Sequence, residues 1–267
     1  MFGAIIGDLA GSIYEYSQIK STTPINMQQV IEPESFISDD SILTVAIADA
    51  ILNKKDYGDS LKYWTNKYAN YLPDVKPYFQ TSFSPNFIKW ANSNCQGTSS
   101  GNGAMMRISP VGFLFDSEED VIKNARLATI PSHNSEDAII AATLIALIIF
   151  HARHGMSKED IIKKLNIDIK KPTITKFNYT CADTIDVCLY SFFNSNSFEE
   201  CIKTALSFGG DTDTNACITA SMAEALYGVP KHLKEQAISK LPIDFLPIIA
   251  DYQNKIAAIK STEIENI

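Results

Sequence analysis

Apolar residues recur at helical spacing along almost the whole chain, and no stretch of five residues alternates as a half-buried strand with a partner would. After Ser38-Asp39-Asp40-Ser41 they fall at Ile42, Val45, Ala46, Ala48, Ile51 and Leu52, which is a broad helical face. Ser117 to Leu127 follows the same rule, with Glu118, Glu119 and Asp120 in its first turn, where the helix dipole favours acids. Asn134-Ser135-Glu136-Asp137 opens the most apolar stretch, and Gly155 ends it after a last turn with His151, Arg153 and His154. Ser157-Lys158-Glu159-Asp160 and Ser197-Phe198-Glu199-Glu200 read as N-caps with an acidic partner three residues on. Asp213 to Tyr227, stopped by Gly228 and Pro230, and Asp244 to Lys260 complete the pattern. The segment Asn166 to Asn178, with Pro172 inside it, reads as a long surface connection. The expectation is an all-α fold, one compact multi-helix domain over residues 1–267, with about ten helices.

Composition narrows what such a domain does. Hydrophobic residues make up 45% of the 267 residues and charged residues 20%, as in an ordinary globular chain rather than a disordered one. Lys and Arg total 23 against 31 Asp and Glu, a net charge of −8. Such a surface draws neither nucleic acid nor an anionic membrane by bulk attraction. The longest apolar run, Ala138 to Phe150, is about 13 residues, short for a membrane span. Five cysteines without a C-x-x-C pair suit buried thiols in a reducing compartment rather than zinc or disulfides. The N-terminus lacks a basic region and meets Asp8 early, unlike a secretory signal. A cytoplasmic protein is expected. With no long exposed apolar stripe, a monomer is expected too.

The carboxylates are oddly placed. Asp39 and Asp40 stand between Ser38 and Ser41 at the start of an otherwise apolar helix, and Asp211-Thr212-Asp213-Thr214 follows Gly209-Gly210 at the start of another. Ordinary capping explains one acid or hydroxyl per helix. It does not explain two acids with hydroxyls twice, nor the paired glycines, which permit backbone geometries and close approaches that a side chain forbids. Acids brought together repel unless a cation sits among them. Oxygen-only donors suit a hard cation such as Mg²⁺, Mn²⁺ or Ca²⁺. Six candidate side-chain ligands exceed what one Mg²⁺ usually takes from protein, so a two-metal site fits the two clusters.

Three further segments carry weaker signals. Gly101-Asn102-Gly103 is a tight turn whose amides suit a phosphate, although Asn-Gly is most often only a turn. Arg107 is placed to pair with a buried acid or with a ligand phosphate. Gly7 and Gly11 permit close helix packing, and Asp8 and Glu15, seven apart, share a helical face that could meet a common cleft. His133 stands alone in a loop, where a structural or solvated role is the ordinary one.

In this order, the five segments resemble the ADP-ribosylglycohydrolase family: Gly7-Asp8-x-x-Gly11-x-x-x-Glu15, Ser38-Asp39-Asp40-Ser41, Gly101-Asn102-Gly103-x-x-Met106-Arg107, Ser132-His133, and Gly209-Gly210-Asp211-x-Asp213-Thr214. The resemblance covers roughly residues 1 to 230. It implies an all-α domain with two divalent cations, Mg²⁺ or Mn²⁺, at the bottom of a cleft. The implied ligands are Ser38, Asp39, Asp40, Asp211, Asp213 and Thr214. Gly101, Asn102, Gly103 and His133 would line the ADP-ribose site. The implied activity is hydrolysis at C1″ of the distal ribose, releasing ADP-ribose from a modified protein or a small-molecule conjugate. Asp39 or Asp40 would take the proton of the attacking water, and Glu15 would be an acid/base or a mobile ligand. The alternative is a non-catalytic relative that binds ADP-ribose. Ser38 and Ser41 stand where the family more often has Thr, which preserves the oxygen. The chain is short for the family, and the missing length falls in loops that contact the leaving group, leaving the acceptor open.

Overall fold

The computed structural model describes residues 1–18, 27–73, 81–174 and 176–265. Among them are fourteen helices. In chain order these begin with α1 (Phe2–Gln18), α2 (Asp39–Leu52), α3 (Tyr57–Tyr68), α4 (Pro85–Ala91), α5 (Gly103–Met106), α6 (Ser109–Leu114) and α7 (Glu118–Thr129). They continue with α8 (Glu136–Arg153), α9 (Lys158–Leu165), α10 (Cys181–Phe193), α11 (Phe198–Leu206), α12 (Thr212–Tyr227), α13 (Lys231–Ser239) and α14 (Phe245–Glu265). The all-α expectation holds. The number exceeds ten because short helices such as α4, α5 and α6 show no period. Two isolated β-bridges, Thr98 to His133 and Gly101 to Thr180, are the strand-like pairings among the described residues.

Hydroxyl caps start many of these helices. The side chains of Ser38, Ser84, Ser117, Ser135, Ser157, Thr180 and Ser197 each accept from a backbone N–H in the first turn. The outer helices α7, α9 and α11 bury one face. The central ones are buried all round: Asp40 to Ala50 in α2 and Thr212 to Ala223 in α12 have no exposed position. Such helices form a core rather than a surface.

The contact between α1 and α12 places the site. A Cβ at Gly3, Gly7 or Gly11 would lie 2.1, 2.2 or 2.4 Å from backbone atoms of Ala220, Ala216 or Asp213. Glycine at every fourth position therefore lets the two helix backbones touch. That contact brings the Asp8 to Glu15 face of α1 against the first turn of α12. Around it runs one continuous apolar core, from Met1 through Ile42, Ile145 and Ile218 to Tyr252.

The structure corrects three expectations. The connection from Asn166 to Asn178 is not wholly on the surface: Ile174 and Asn178 are buried, whereas Lys176 is exposed. Cys95 is exposed, whereas Cys181, Cys188, Cys201 and Cys217 are buried; none forms a disulfide. Asp8 does not share the cleft with Glu15, as the site geometry shows. Among the described residues no helix is long and apolar enough to cross a membrane.

Candidate functional site

A cavity of about 740 Å³ opens at the N-terminal ends of α2 and α12. Its floor carries Glu15, Asp39, Asp40, Asp211, Asp213 and Thr214. Its walls include Gly101, Asn102, Gly103, Ser132 and His133, with Phe87, Trp90, Phe177 and Tyr179 as aromatic surface. The two acid clusters, remote in sequence, thus meet. The Thr214 hydroxyl donates to Asp40 Oδ2 at 3.2 Å, which ties α12 to α2 directly.

Two sets of acids come within metal-sharing distance. Oxygens of Asp8, Asp40 and Asp213 lie within 4.8 Å of one another, as do those of Glu15, Asp211 and Asp213. Burial first, and mutual repulsion second, raises the proton affinity of this group. Glu15 is pushed up to about 9 by burial and by Asp213, Asp39 and Asp8. Burial pushes Asp211 to about 8, with Glu15 and Asp40 adding repulsion. Burial and the charge of Asp8 lift Asp39 to about 7. Asp40 and Asp213 move well upward for the same reasons. So many carboxylates cannot stay ionised together without a counter-charge. Asp40 Oδ1 is also buried with no hydrogen-bond partner. An orphaned carboxyl oxygen on an acid clustered with Asp8 and Asp213 fits a hard divalent cation, and the all-oxygen donor set fits Mg²⁺, Mn²⁺ or Ca²⁺ rather than a soft metal.

Not every candidate faces the cavity. Ser38 and Asp8 are buried behind its floor. Asp8 Oδ2 accepts from the backbone N–H of Ser38 at 2.9 Å and of Ser41 at 3.1 Å. The Ser38 hydroxyl donates to Asp8 Oδ1 at 2.7 Å, and the Ser41 hydroxyl donates to Oδ2. Three donors on Oδ2 and one on Oδ1 hold this carboxylate, so Asp8 braces the turn that presents Asp39 and Asp40. Ser38 Oγ also accepts from Asp40 N–H at 3.1 Å, as the cap of α2.

The second cluster is braced by amides. Asn102 Nδ2 donates to Asp211 Oδ2 at 2.7 Å, so this side chain turns to the floor as well as lining the wall. Asn178 Oδ1 accepts from Asp211 N–H at 2.9 Å, and its Nδ2 donates to Asn215 Oδ1 at 2.8 Å. Gly209 and Gly210 have φ of 71° and 74°. A Cβ on Gly210 would lie 2.1 Å from Asn178 Oδ1. The paired glycines serve both this left-handed turn and this approach. Sequence reasoning missed Asn178, although Thr180-x-x-Asp183 just beyond it is a helix-start signal.

The wall also differs from the expected amide cradle. Gly101 N–H donates to Ser99 Oγ at 3.0 Å and Asn102 N–H to Tyr179 O at 2.9 Å, so both amides are already engaged. Arg107 is fully buried and pairs with neither an acid nor open space. Its Nη2 donates to Ser132 Oγ at 2.7 Å and Ala128 O at 3.3 Å. Ser132 Oγ lies 2.7 Å from His133 Nδ1. Burial, then the charge of Arg107, drives the His133 proton affinity well below the ordinary imidazole range, so the ring is neutral.

Comparison with known proteins agrees with this geometry. The sequence profile described as ADP-ribosylglycohydrolase matches residues 1–257. Human ADP-ribosylhydrolase ARH3 is 22% identical, over 85% of this chain and 84% of its own. The ADP-ribosyl-[dinitrogen reductase] glycohydrolase of Rhodospirillum rubrum is 26% identical, over 48% of this chain and 47% of its own. A solved structure titled "ADP-ribosylglycohydrolase-related protein complex" superposes with a TM-score of 0.60 at 18% identity, covering 96% of this chain and 95% of that one. A profile matched over nearly the whole length settles the kinship: the chain belongs to the ADP-ribosylglycohydrolase family.

Proposed function

We propose that this cleft hydrolyses the glycosidic bond between C1″ of the distal ribose of an ADP-ribosyl group and its acceptor, a modified protein or a small conjugate. Two divalent cations, Mg²⁺ or Mn²⁺, would be held by Asp39, Asp40, Asp211, Asp213 and Thr214 on the floor, with Ser38 Oγ, 3.1 Å from Asp40 Oδ2, reaching the set from behind it. The observation that carries the reading is the meeting of the two acid clusters through Thr214 and Asp40, with one oxygen of Asp40 buried and unpartnered. The chemistry supplied by cations in that set is Lewis acidity toward the ribose hydroxyls and toward an attacking water.

The protein's own groups do the rest. Asp39 or Asp40, on the first turn of α2, takes the proton of the water. Glu15 stands across the floor beside Asp211 and Asp213, where it serves as an acid/base or as a mobile ligand of the cations. The transition state is oxocarbenium-like, as in other glycoside hydrolysis, and neighbouring carboxylates stabilise positive charge at C1″. Asn102 holds Asp211 in register. Gly101 and Gly103 leave space for the pyrophosphate beside His133, and the aromatic wall offers faces for the adenine.

The test is release of free ADP-ribose from Arg-linked, Ser-linked and O-acetyl conjugates, with Mg²⁺, with Mn²⁺ and with a chelator. Release from at least one conjugate, abolished by the chelator and restored by the ion, is expected. Binding of ADP-ribose without release from any conjugate would instead favour the non-catalytic relative.

A further inference from the structure

The imidazole of His133 lies on the cleft wall with Nε2 close to Gly101 and Gly103: a Cβ on either would lie 3.5 or 3.3 Å from it. Among the described residues no acceptor hydrogen-bonds to Nε2. The other ring nitrogen is committed, and the direction of that bond follows from counting protons. A guanidinium only donates, so Ser132 Oγ is the acceptor in the 2.7 Å contact with Arg107 Nη2. The hydroxyl has one hydrogen to give, and among the described residues His133 Nδ1, 2.7 Å away, is the acceptor it has; an Nδ1–H would leave that buried hydrogen without a partner. A nitrogen that accepts there carries no proton, so the proton of the neutral ring is on Nε2.

Arg107 makes no ion pair, although its charge also eases the proton affinity of Asp39 downward. It is fully buried, its Nε and Nη1 have no hydrogen-bond partner, and its guanidinium lies 5.9 Å over the Phe87 ring. The loop amides of Gly101 and Asn102 are engaged internally. His133 Nε2–H is thus a side-chain donor on this wall that remains available to a ligand.

We propose that Arg107, acting through the Ser132 hydroxyl, fixes His133 as the Nε2–H tautomer and so makes it a standing hydrogen-bond donor for an anionic oxygen in the cleft. Arg107 and Ser132 are positioning residues; His133 is the group that touches the ligand. Only the identity of that oxygen, a pyrophosphate oxygen of ADP-ribose, rests on the proposed function. A ring locked in this state needs no tautomer change on binding, and it cannot present a lone pair that would repel the anion.

The experiment is long-range ¹H–¹⁵N NMR of the full chain with labelled histidine, near neutral pH. The four histidines are separated by the loss of one signal in His133→Gln. Wild-type His133 is expected as a single Nε2–H species, and Ser132→Ala as a mixture of both tautomers. Calorimetric titration with ADP-ribose is expected to show a dissociation constant about tenfold weaker in Ser132→Ala, the scale of one hydrogen bond to a charged group. An Nδ1–H or charged imidazole in the wild type overturns the proposal, and this needs no variant. So does a Ser132→Ala protein with tautomer and affinity unchanged. A wild-type Nε2–H signal in a protein that binds no ADP-ribose leaves the relay standing and overturns the substrate reading instead.

Discussion

The two acid clusters look alike in sequence, and both begin a buried helix, yet they are held by opposite means. The turn before α2 closes on a carboxylate: Asp8 takes two backbone amides and two hydroxyls from Ser38 and Ser41. The turn before α12 closes on neutral amides, with Asn102 bonded to the Asp211 side chain and Asn178 to its backbone. A charged brace adds to the field it supports. Asp8 raises the proton affinity of Asp39, Asp40 and Asp213. Both sides carry crowded acids that need a counter-charge; the α2 brace adds a charge to that load, whereas the α12 brace adds none.

The largest expected effect comes from the ligands themselves, on either side. Asp40→Ala, Asp211→Ala and Asp213→Ala should each cut the rate of ADP-ribose release by at least about a thousandfold, about 4 kcal/mol of barrier. Their thermal unfolding without metal should be unchanged or raised, because a repelling buried carboxylate is gone. Near-normal release in any of the three would break the metal assignment.

Next comes the contact that joins the two sides. Gly7→Ala puts a Cβ 2.2 Å from the Ala216 carbonyl oxygen, a backbone atom that cannot swing away. The helices must part, at a cost of about 2–3 kcal/mol, or roughly 4–10 °C in Tm. Scanning calorimetry would read this. An unchanged Tm would mean the α1–α12 contact is looser than it looks and does not set the site.

The braces should differ less steeply. Asp8→Asn keeps the shape but removes the charge and cannot accept all four donors. It should weaken Mn²⁺ binding by about 10–100-fold, the usual range for groups that orient ligands. Asn102→Ala should sit at the lower end, about tenfold, because Asn178 still holds Asp211. Titration calorimetry on the two variants ranks them. The reverse order would mean the neutral brace matters more than the charged one.

These braces also mark where the sequence stops being readable. The all-α class, most helix starts and the metal-ligand candidates follow from local rules: periodicity, capping residues and acid clusters beside hydroxyls. Gly7 and Gly11 signal close packing, but their partner helix, α12, is visible only in the structure. Asp8 looked like a cleft acid because a seven-residue spacing puts it on the face of Glu15. Spacing cannot show that four donors from a later turn would enclose it. Asn178 sits in a stretch with Pro172 and several lysines, and its first part is exposed as such composition suggests. Its burial is decided by Gly210, remote in sequence, which a one-dimensional pattern does not encode. The Arg107–Ser132–His133 chain has the same character: each residue was visible, their mutual bonds were not.

The smallest effect expected is the most specific to the charge difference. Without metal, Asp8, Asp39, Asp211 and Glu15 have proton affinities raised to about 6, 7, 8 and 9, burial being the first cause in each. In the unfolded chain the same groups titrate near the ordinary carboxylate values of about 4. Between those limits the folded protein holds more protons than the unfolded one, so stability falls as pH rises. The contribution is fully present below about pH 4 and is lost progressively up to about pH 9. Metal ions displace those protons, so the gap in Tm between metal-loaded and chelator-stripped protein should widen by several degrees from about pH 5 to about pH 9. A gap independent of pH would break this account. The variants then separate the two sides. Asp8→Asn removes the lowest of the four titrations and lightens the load on Asp39 and Asp40, so the slope of stripped-protein Tm against pH should flatten at its acid end. Asn102→Ala removes a bond that lowers the proton affinity of Asp211, so the fall should extend further toward alkaline pH. A flattening in one variant and an extension in the other is the signature of a charged brace facing a neutral one.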